Sequence, residues 1–176
     1  TSPRSNRFSG YYEGIHETRI TFHTKELKMP IRCEIVSQDN LLYEGDVDIV
    51  VLPGTGGIMG VLPNHAPLLT TLNFGVVQVR FGDEEENFAV SGGVAEIQPD
   101  IVTVLADRAE DIEEIDIERA QAAQERAKEY MEQGPPPDTD RYLAMSAALR
   151  RSNLRLDAVK RYRRGKKKTQ AHLTEE

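Results

Sequence analysis

With 176 residues, 19.8 kDa and a net charge of −7, the chain can bury one ordinary core, or one core and an appendage, which excludes a large multidomain enzyme. No run of about eighteen apolar residues occurs and no charged segment leads into an apolar one, so the expectation is a soluble protein with neither a membrane-spanning helix nor a secretory signal. Cys33 is the single cysteine, which excludes intramolecular disulfides and Cys-rich zinc sites and predicts a buried thiol in a reducing compartment.

The acidic total hides a division along the chain. Between Arg141 and Lys168 there are eleven Lys and Arg residues and one acid, Asp157. That asymmetry predicts an anionic partner for the C-terminal segment, either nucleic acid or an acidic protein surface.

In chain order, residues 1–28 show no sustained periodicity and mix Pro3, Gly10 and Gly14 with scattered charge. They read as a disordered extension, with one short strand over Arg19–Phe22, and Met29 reads as a natural start. From residue 29 to 107 the sequence predicts an antiparallel meander of about ten short strands, packed as a β-sandwich or a barrel, the regular strand spacing being the signal. The apolar runs are Ile31–Val36, Val47–Leu52, Val76–Phe81, Asn87–Val90, Val94–Ile97 and Ile101–Leu105. Asp39-Asn40, Gly82-Asp83 and Pro99-Asp100 supply turn chemistry between them.

After Leu105 the composition turns to acids and alanine. Residues 108–162 are predicted to form a helical hairpin, and residues 163–176 a basic, flexible tail. Asp116, or Glu113 and Glu114 before it, suits a helix start because a carboxylate caps free amides and faces the positive end of the dipole. Ala120, Ala123, Ala127 and Met131 recur at helical spacing, a stripe small enough to let a second helix approach closely. Gly134-Pro135-Pro136-Pro137 ends the first helix, since proline lacks an N–H and restrains the residue before it. The second helix runs from about Arg141 toward Lys160 with Met145, Leu149, Leu156 and Val159 on one face.

Three motifs carry the functional reading. Gly57–Pro67 (GIMGVLPNHAP) packs two glycines, two prolines and His65 into what reads as a rigid contact loop. Neither a Cys nor a second His stands near His65, so it reads as a hydrogen-bonded loop histidine rather than a metal ligand or catalyst. Ser91–Pro99 reads SGGVAEIQP, and Ile115–Ala120 reads IDIERA. In that order the three resemble the signatures of the epsilon subunit of the rotary, proton-driven ATP synthase, over about Met29 to Arg161.

The resemblance implies a sandwich at the foot of the central stalk, beside the gamma subunit and the c-ring, with a contact loop at Ile58, Met59 and His65. Many members carry an acid where this chain has Ile58, which replaces a charged contact by an apolar one. It also implies a regulatory ATP site made by Glu110, Asp116, Arg119, Arg151 and Arg155. The residue types suit that role, since carboxylates accept hydrogen bonds from base or sugar and arginine forks match phosphate oxygens. The spacing of Arg151 and Arg155 sets both on one helix face. Read alone, however, Asp116 reads as a helix cap and the arginines as ordinary surface charges.

No nucleophile, required cofactor or metal set is legible, so the chain reads as a noncatalytic subunit whose only expected ligand is regulatory ATP. The partners implied are gamma, the c-ring and the alpha and beta catalytic subunits, the last met by Arg150, Arg161, Arg163 and Arg164 as an electrostatic brake on hydrolysis. The implied location is the cytoplasmic face of the bacterial cell membrane, as a peripheral part of the complex. Two other readings stand beside this one: a nucleic-acid-binding module using the basic C-terminus, which offers only Tyr142 and Tyr162 for stacking, and a small hydrolase using His65, which lacks partner groups.

Overall fold

The computed structural model describes residues 29–38, 40–133 and 139–173, with side chains as far as Tyr162. The extension, the strand at Arg19–Phe22, the Gly134–Pro137 break and the end of the tail lie outside the described residues.

A β-sandwich is followed by a hairpin of two helices. Among the described residues the strands are β1 (Ile31–Ser37), β2 (Leu41–Val47), β3 (Ile49–Gly54), β4 (Gly57–Val61), β5 (Leu68–Phe81), β6 (Glu84–Ile97), β7 (Ile101–Ala106) and β8 (Ala109–Asp111). A 3-10 turn at Ile112–Glu114 leads to α1 (Ile117–Glu132), and α2 spans Thr139–Leu173. The sheet order is β2-β1-β7-β6-β5-β3-β4, with β8 also paired to β6.

Eight strands replace the expected ten or so short ones, because the glycines at 75, 92 and 93 interrupt the apolar pattern without ending a strand. Val76–Phe81 is the second half of β5, and Asn87–Val90 and Val94–Ile97 both belong to β6. At 14 residues each, β5 and β6 are long enough to serve both layers. β6 pairs β8 through Phe88–Val90 and β7 through Gly93–Ile97. The change of partner falls at Gly93, with φ 121°, where a Cβ would stand 2.3 Å from the Leu105 carbonyl oxygen; glycine alone fits. The sheet is also mixed rather than wholly antiparallel, since β1 pairs β7 in parallel, Arg32 beside Ile101 through Ser37 beside Ala106.

One core cluster joins the layers, with Ile31, Cys33 and Ile35 of β1, Val50 and Leu52 of β3, Val77 and Val79 of β5, Phe88 and Val90 of β6 and Val102 and Val104 of β7. Alternation along each strand aims these residues inward. In β6 the residue between Phe88 and Val90 faces the other way. Ala89 packs outward into a second cluster with Ile112, Ile115, Ala158 and Val159, bordered by Val76, Leu154 and Tyr162. α2 and the 3-10 turn therefore cover the outer face of the sheet at β5 and β6, and β6 is apolar on both sides around Ala89 because both are buried there.

The hairpin closes on small residues. Ala120 and Ala127 of α1 are buried, as are Ser152, Ala158 and Val159 of α2. Gln124 Nε2 donates to Asn153 Oδ1 at 2.6 Å, and the Arg141 guanidinium lies 5.0 Å from the Tyr130 ring centre, a cation–π contact. Farther along α2, Gln78 Nε2 of β5 donates to the Tyr162 hydroxyl at 2.5 Å. The sheet extends through Asp111, past the expected start of the hairpin at residue 108, because Ala109–Asp111 pairs with Phe88–Val90.

Candidate functional site

A cleft of about 740 Å³ opens where β2, β8, the start of α1 and the middle of α2 meet. Four of the five residues expected at a nucleotide site line it: Glu110, Asp116, Arg119 and Arg155. Each arrives by a local rule. Asp116 caps α1, its Oδ1 accepting the Arg119 backbone N–H at 3.0 Å, so the cap fixes where Arg119 leaves the first turn. Glu110 belongs to β8, opposite Ala89. Arg155 crosses from α2 to meet it: its Nε donates to Glu110 Oε2 at 2.8 Å and its Nη2 donates to Oε1. This bidentate grip attaches helix to sheet.

Arg151, the fifth expected residue, does not line the cleft. It lines a small adjoining hollow with Arg108, Glu110 and Arg155. Burial, together with the charges of Arg108 and Arg155, lowers its pKa below the usual arginine value, and Glu110 offsets part of that. The cleft also includes Asn40, Leu41, Leu42, Arg108, Asp111 and Glu114, none of which sequence reasoning had placed there. Glu114 was visible only as a helix-start acid. Leu41 opens β2 and Asn40 precedes it, both far away in sequence, and no local signal announces them.

The GIMGVLPNHAP segment is half strand, half loop. Gly57–Val61 forms β4 against β3, and the loop proper begins at Leu62. Ile58 points out and is 82% exposed, whereas Met59, the next residue, packs against the core. Pairing with β3 imposes the alternation of a strand, so the two residues do not share a surface. His65 is a hydrogen-bonded loop histidine, its Nδ1 lying 2.8 Å from the Ala66 carbonyl oxygen. Asn64, at φ 62°, donates its N–H to the Pro99 carbonyl oxygen at 2.8 Å. That bond brings the loop to the β6–β7 turn, where Leu62, Leu68 and Leu69 are exposed. Of the arginines expected to meet a catalytic subunit, Arg150 and Arg161 are exposed on α2; Arg163 and Arg164 lie on the same helix, and their side chains are outside the described residues.

Comparison with known proteins decides the family. Residues 30–112 match the family described as ATP synthase, Delta/Epsilon chain, beta-sandwich domain, and residues 113–160 match its long alpha-helix domain. The chain belongs to the ATP synthase delta/epsilon family. Among epsilon chains of ATP synthase, it is 40% identical over 131 residues to that of Halalkalibacterium halodurans, covering 74% of this chain and 98% of the relative. It is 43% identical over 137 residues to that of Acidithiobacillus ferridurans, covering 78% and 96%, and 45% identical over 131 residues to that of Moorella thermoacetica, covering 73% and 96%. The same fold occurs in a chain of the Euglena gracilis mitochondrial ATP synthase, at TM-score 0.59 and 23% identity, with 85% of this chain and 94% of that one covered. A chain of the Tetrahymena thermophila mitochondrial enzyme's central stalk and c-ring structure shares it at TM-score 0.52 and 13% identity, covering 75% and 98%. This epsilon-type chain is thus a subunit of an ATP synthase. Among its described residues, no helix is long and apolar enough to cross a membrane.

Proposed function

We propose that the chain is a noncatalytic central-stalk subunit whose sandwich joins gamma to the c-ring and whose hairpin restrains ATP hydrolysis in a nucleotide-dependent way. It works at the cytoplasmic face of the bacterial membrane, held there only through the complex. Folded onto the sandwich, as here, the hairpin leaves the catalytic subunits alone. Raised along gamma, it brings Arg150, Arg161, Arg163 and Arg164 to acidic surfaces of the beta subunits, and opposite charge favours that contact. The exposed end bearing Ile58, Leu62 and Leu69 supplies the apolar contact to the c-ring loops.

The observation that carries the nucleotide half is the cleft itself, which exists only while α1, α2 and the sheet are together. Glu110 and Asp116 accept from base or ribose donors, and Arg119 and Arg155 donate to phosphate oxygens. The Nε and Nη2 groups of Arg155 are engaged by Glu110, but a guanidinium has further N–H groups on its other edge. A ligand made by three elements favours the state in which they are assembled, by its differential affinity for that state. At about a hundredfold above its dissociation constant, ATP contributes about 2.7 kcal/mol to the folded-down form.

Calorimetric titration of the full chain with ATP tests this. Binding in the unmodified chain, weakened by Arg155→Ala with the sandwich's melting unchanged, is the expected result. No heat at millimolar ATP would remove nucleotide from the mechanism and return Asp116 to the role of a helix cap.

A further inference from the structure

We propose that Arg108, on the turn between β7 and β8, is a third phosphate-contacting guanidinium of this site, and that it makes the docked hairpin depend on a polyphosphate anion. The proposal rests on the nucleotide reading above and extends it to a residue outside the IDIERA motif.

The turn holds Arg108 in place from both sides. The Asp107 N–H donates to the Gly92 carbonyl oxygen at 3.2 Å, and the Ser91 N–H donates to the Arg108 carbonyl oxygen at 3.0 Å. The neighbouring carboxylate is turned elsewhere: Asp107 Oδ2 lies 2.8 Å from the position a Cβ would take on Gly92. Asp107 lines neither the cleft nor the adjoining hollow, whereas Arg108 lines both. Among the described residues Arg108 has no carboxylate within salt-bridge distance.

At this end of the site Arg108, Arg151 and Arg155 share the hollow with a single acid, Glu110, and Glu110 is committed to Arg155. Like charges gathered in a partly desolvated place oppose each other, and the lowered pKa of Arg151, caused by burial and then by Arg108 and Arg155, registers that opposition. Two of these guanidinium groups belong to α2 and one to the sandwich. Their repulsion therefore pushes the helix off the sheet, and an anion in the adjoining cleft, against Arg108 and Arg155, offsets it. A polyphosphate tail in the cleft carries enough charge and enough acceptor oxygens to meet Arg108, Arg119 and Arg155, which all line it; a nucleoside monophosphate has fewer of both.

Two consequences follow for Arg108→Gln in the full chain. ATP binding weakens about fivefold to tenfold, the scale of a partly exposed charge-assisted contact, while AMP binding changes less, so the preference for ATP over AMP shrinks. Without nucleotide, amide hydrogen exchange in α2 around residues 151–159 slows, because one source of repulsion is gone. A purely structural role for Arg108 predicts faster exchange. Arg108→Lys keeps the charge and restores most of the ATP preference. Calorimetry with ATP and AMP, and exchange measured without ligand, read all of these. If the unmodified chain binds ATP and Arg108→Gln binds it equally well, or if its unliganded exchange is unchanged or faster, the proposal is overturned and the nucleotide reading survives. If the unmodified chain binds no ATP, both are overturned.

Discussion

Arg155 and Glu110 form the one bidentate side-chain link between α2 and the sheet among the described residues. The two residues are 45 positions apart, and both lie in the cleft. The same guanidinium therefore holds the hairpin down and faces the ligand.

Glu110→Gln keeps the shape of the acceptor but removes its charge. Both partners are partly solvated, so the loss is at most about 1 kcal/mol. The expected result is faster amide exchange along residues 151–159 without nucleotide, with the sandwich strands unchanged. Equal exchange in mutant and parent would show that the apolar packing of Ala158 and Val159 suffices alone.

Neutralising Arg150, Arg161, Arg163 and Arg164 together should raise basal ATP hydrolysis by the assembled synthase. High salt should partly mimic the mutant, since exposed charges are screened first. Hydrolysis indifferent to both treatments would mean that any brake is steric.

Ile58 and Met59 should separate cleanly although they are neighbours. Ile58 is 82% exposed, so Ile58→Ser, which removes the apolar contact without supplying a charge, should leave the melting temperature unchanged and weaken association with c-ring-containing membranes. Met59 packs against the core, and Met59→Ala should cost about 1–2 kcal/mol, less than a fully buried methionine because its burial is partial. Chemical denaturation and co-sedimentation distinguish the two effects.

Cys33 is fully buried in β1, and burial, helped by Glu34, pushes its thiol up to about 12. An unfolded thiol titrates near about 8.5. The folded pKa is the higher one, so the contribution to stability is complete below the unfolded value and falls as pH rises from there toward about 12. At pH 8 a thiol reagent should label the folded chain only through unfolding, and denaturation midpoints should decline above about pH 9. Rapid labelling under native conditions would contradict the buried position.

The fold was legible wherever a local rule governs it. Asp116 caps α1 as its position suggested, and Ala120 and Ala127 are the buried part of the predicted small stripe. Cys33 is buried as a lone thiol should be. Long-range pairing was not legible. Gly92 and Gly93 look like a strand end in sequence, yet they bend a continuous strand, because the partner that requires glycine, Leu105, is known only once β6 and β7 are paired. β4 was hidden for a similar reason, since Gly57 and Gly60 lower strand propensity and only pairing with β3 restores the order. In the site, Asp116 and Arg119 could be linked from sequence by their spacing. Arg108 could not, because it has no motif and owes its place to the way the β7–β8 turn meets α2.

The parallel pairing of β1 with β7 also orders events during synthesis. β1 can pair with β2 as soon as the next turn is made, but its second edge stays open until Ile101–Ala106 has left the ribosome. Contacts so distant along the chain form slowly, and an unpaired edge is a template for wrong partners. The sandwich thus closes only after most of its length has emerged. The helices, which fold from local contacts, come later still and find β6 already in place. Nascent chains from which β7 has not yet emerged should therefore be the species that chaperones bind and proteases cut, and those from which β7 and β8 have emerged should already resist both.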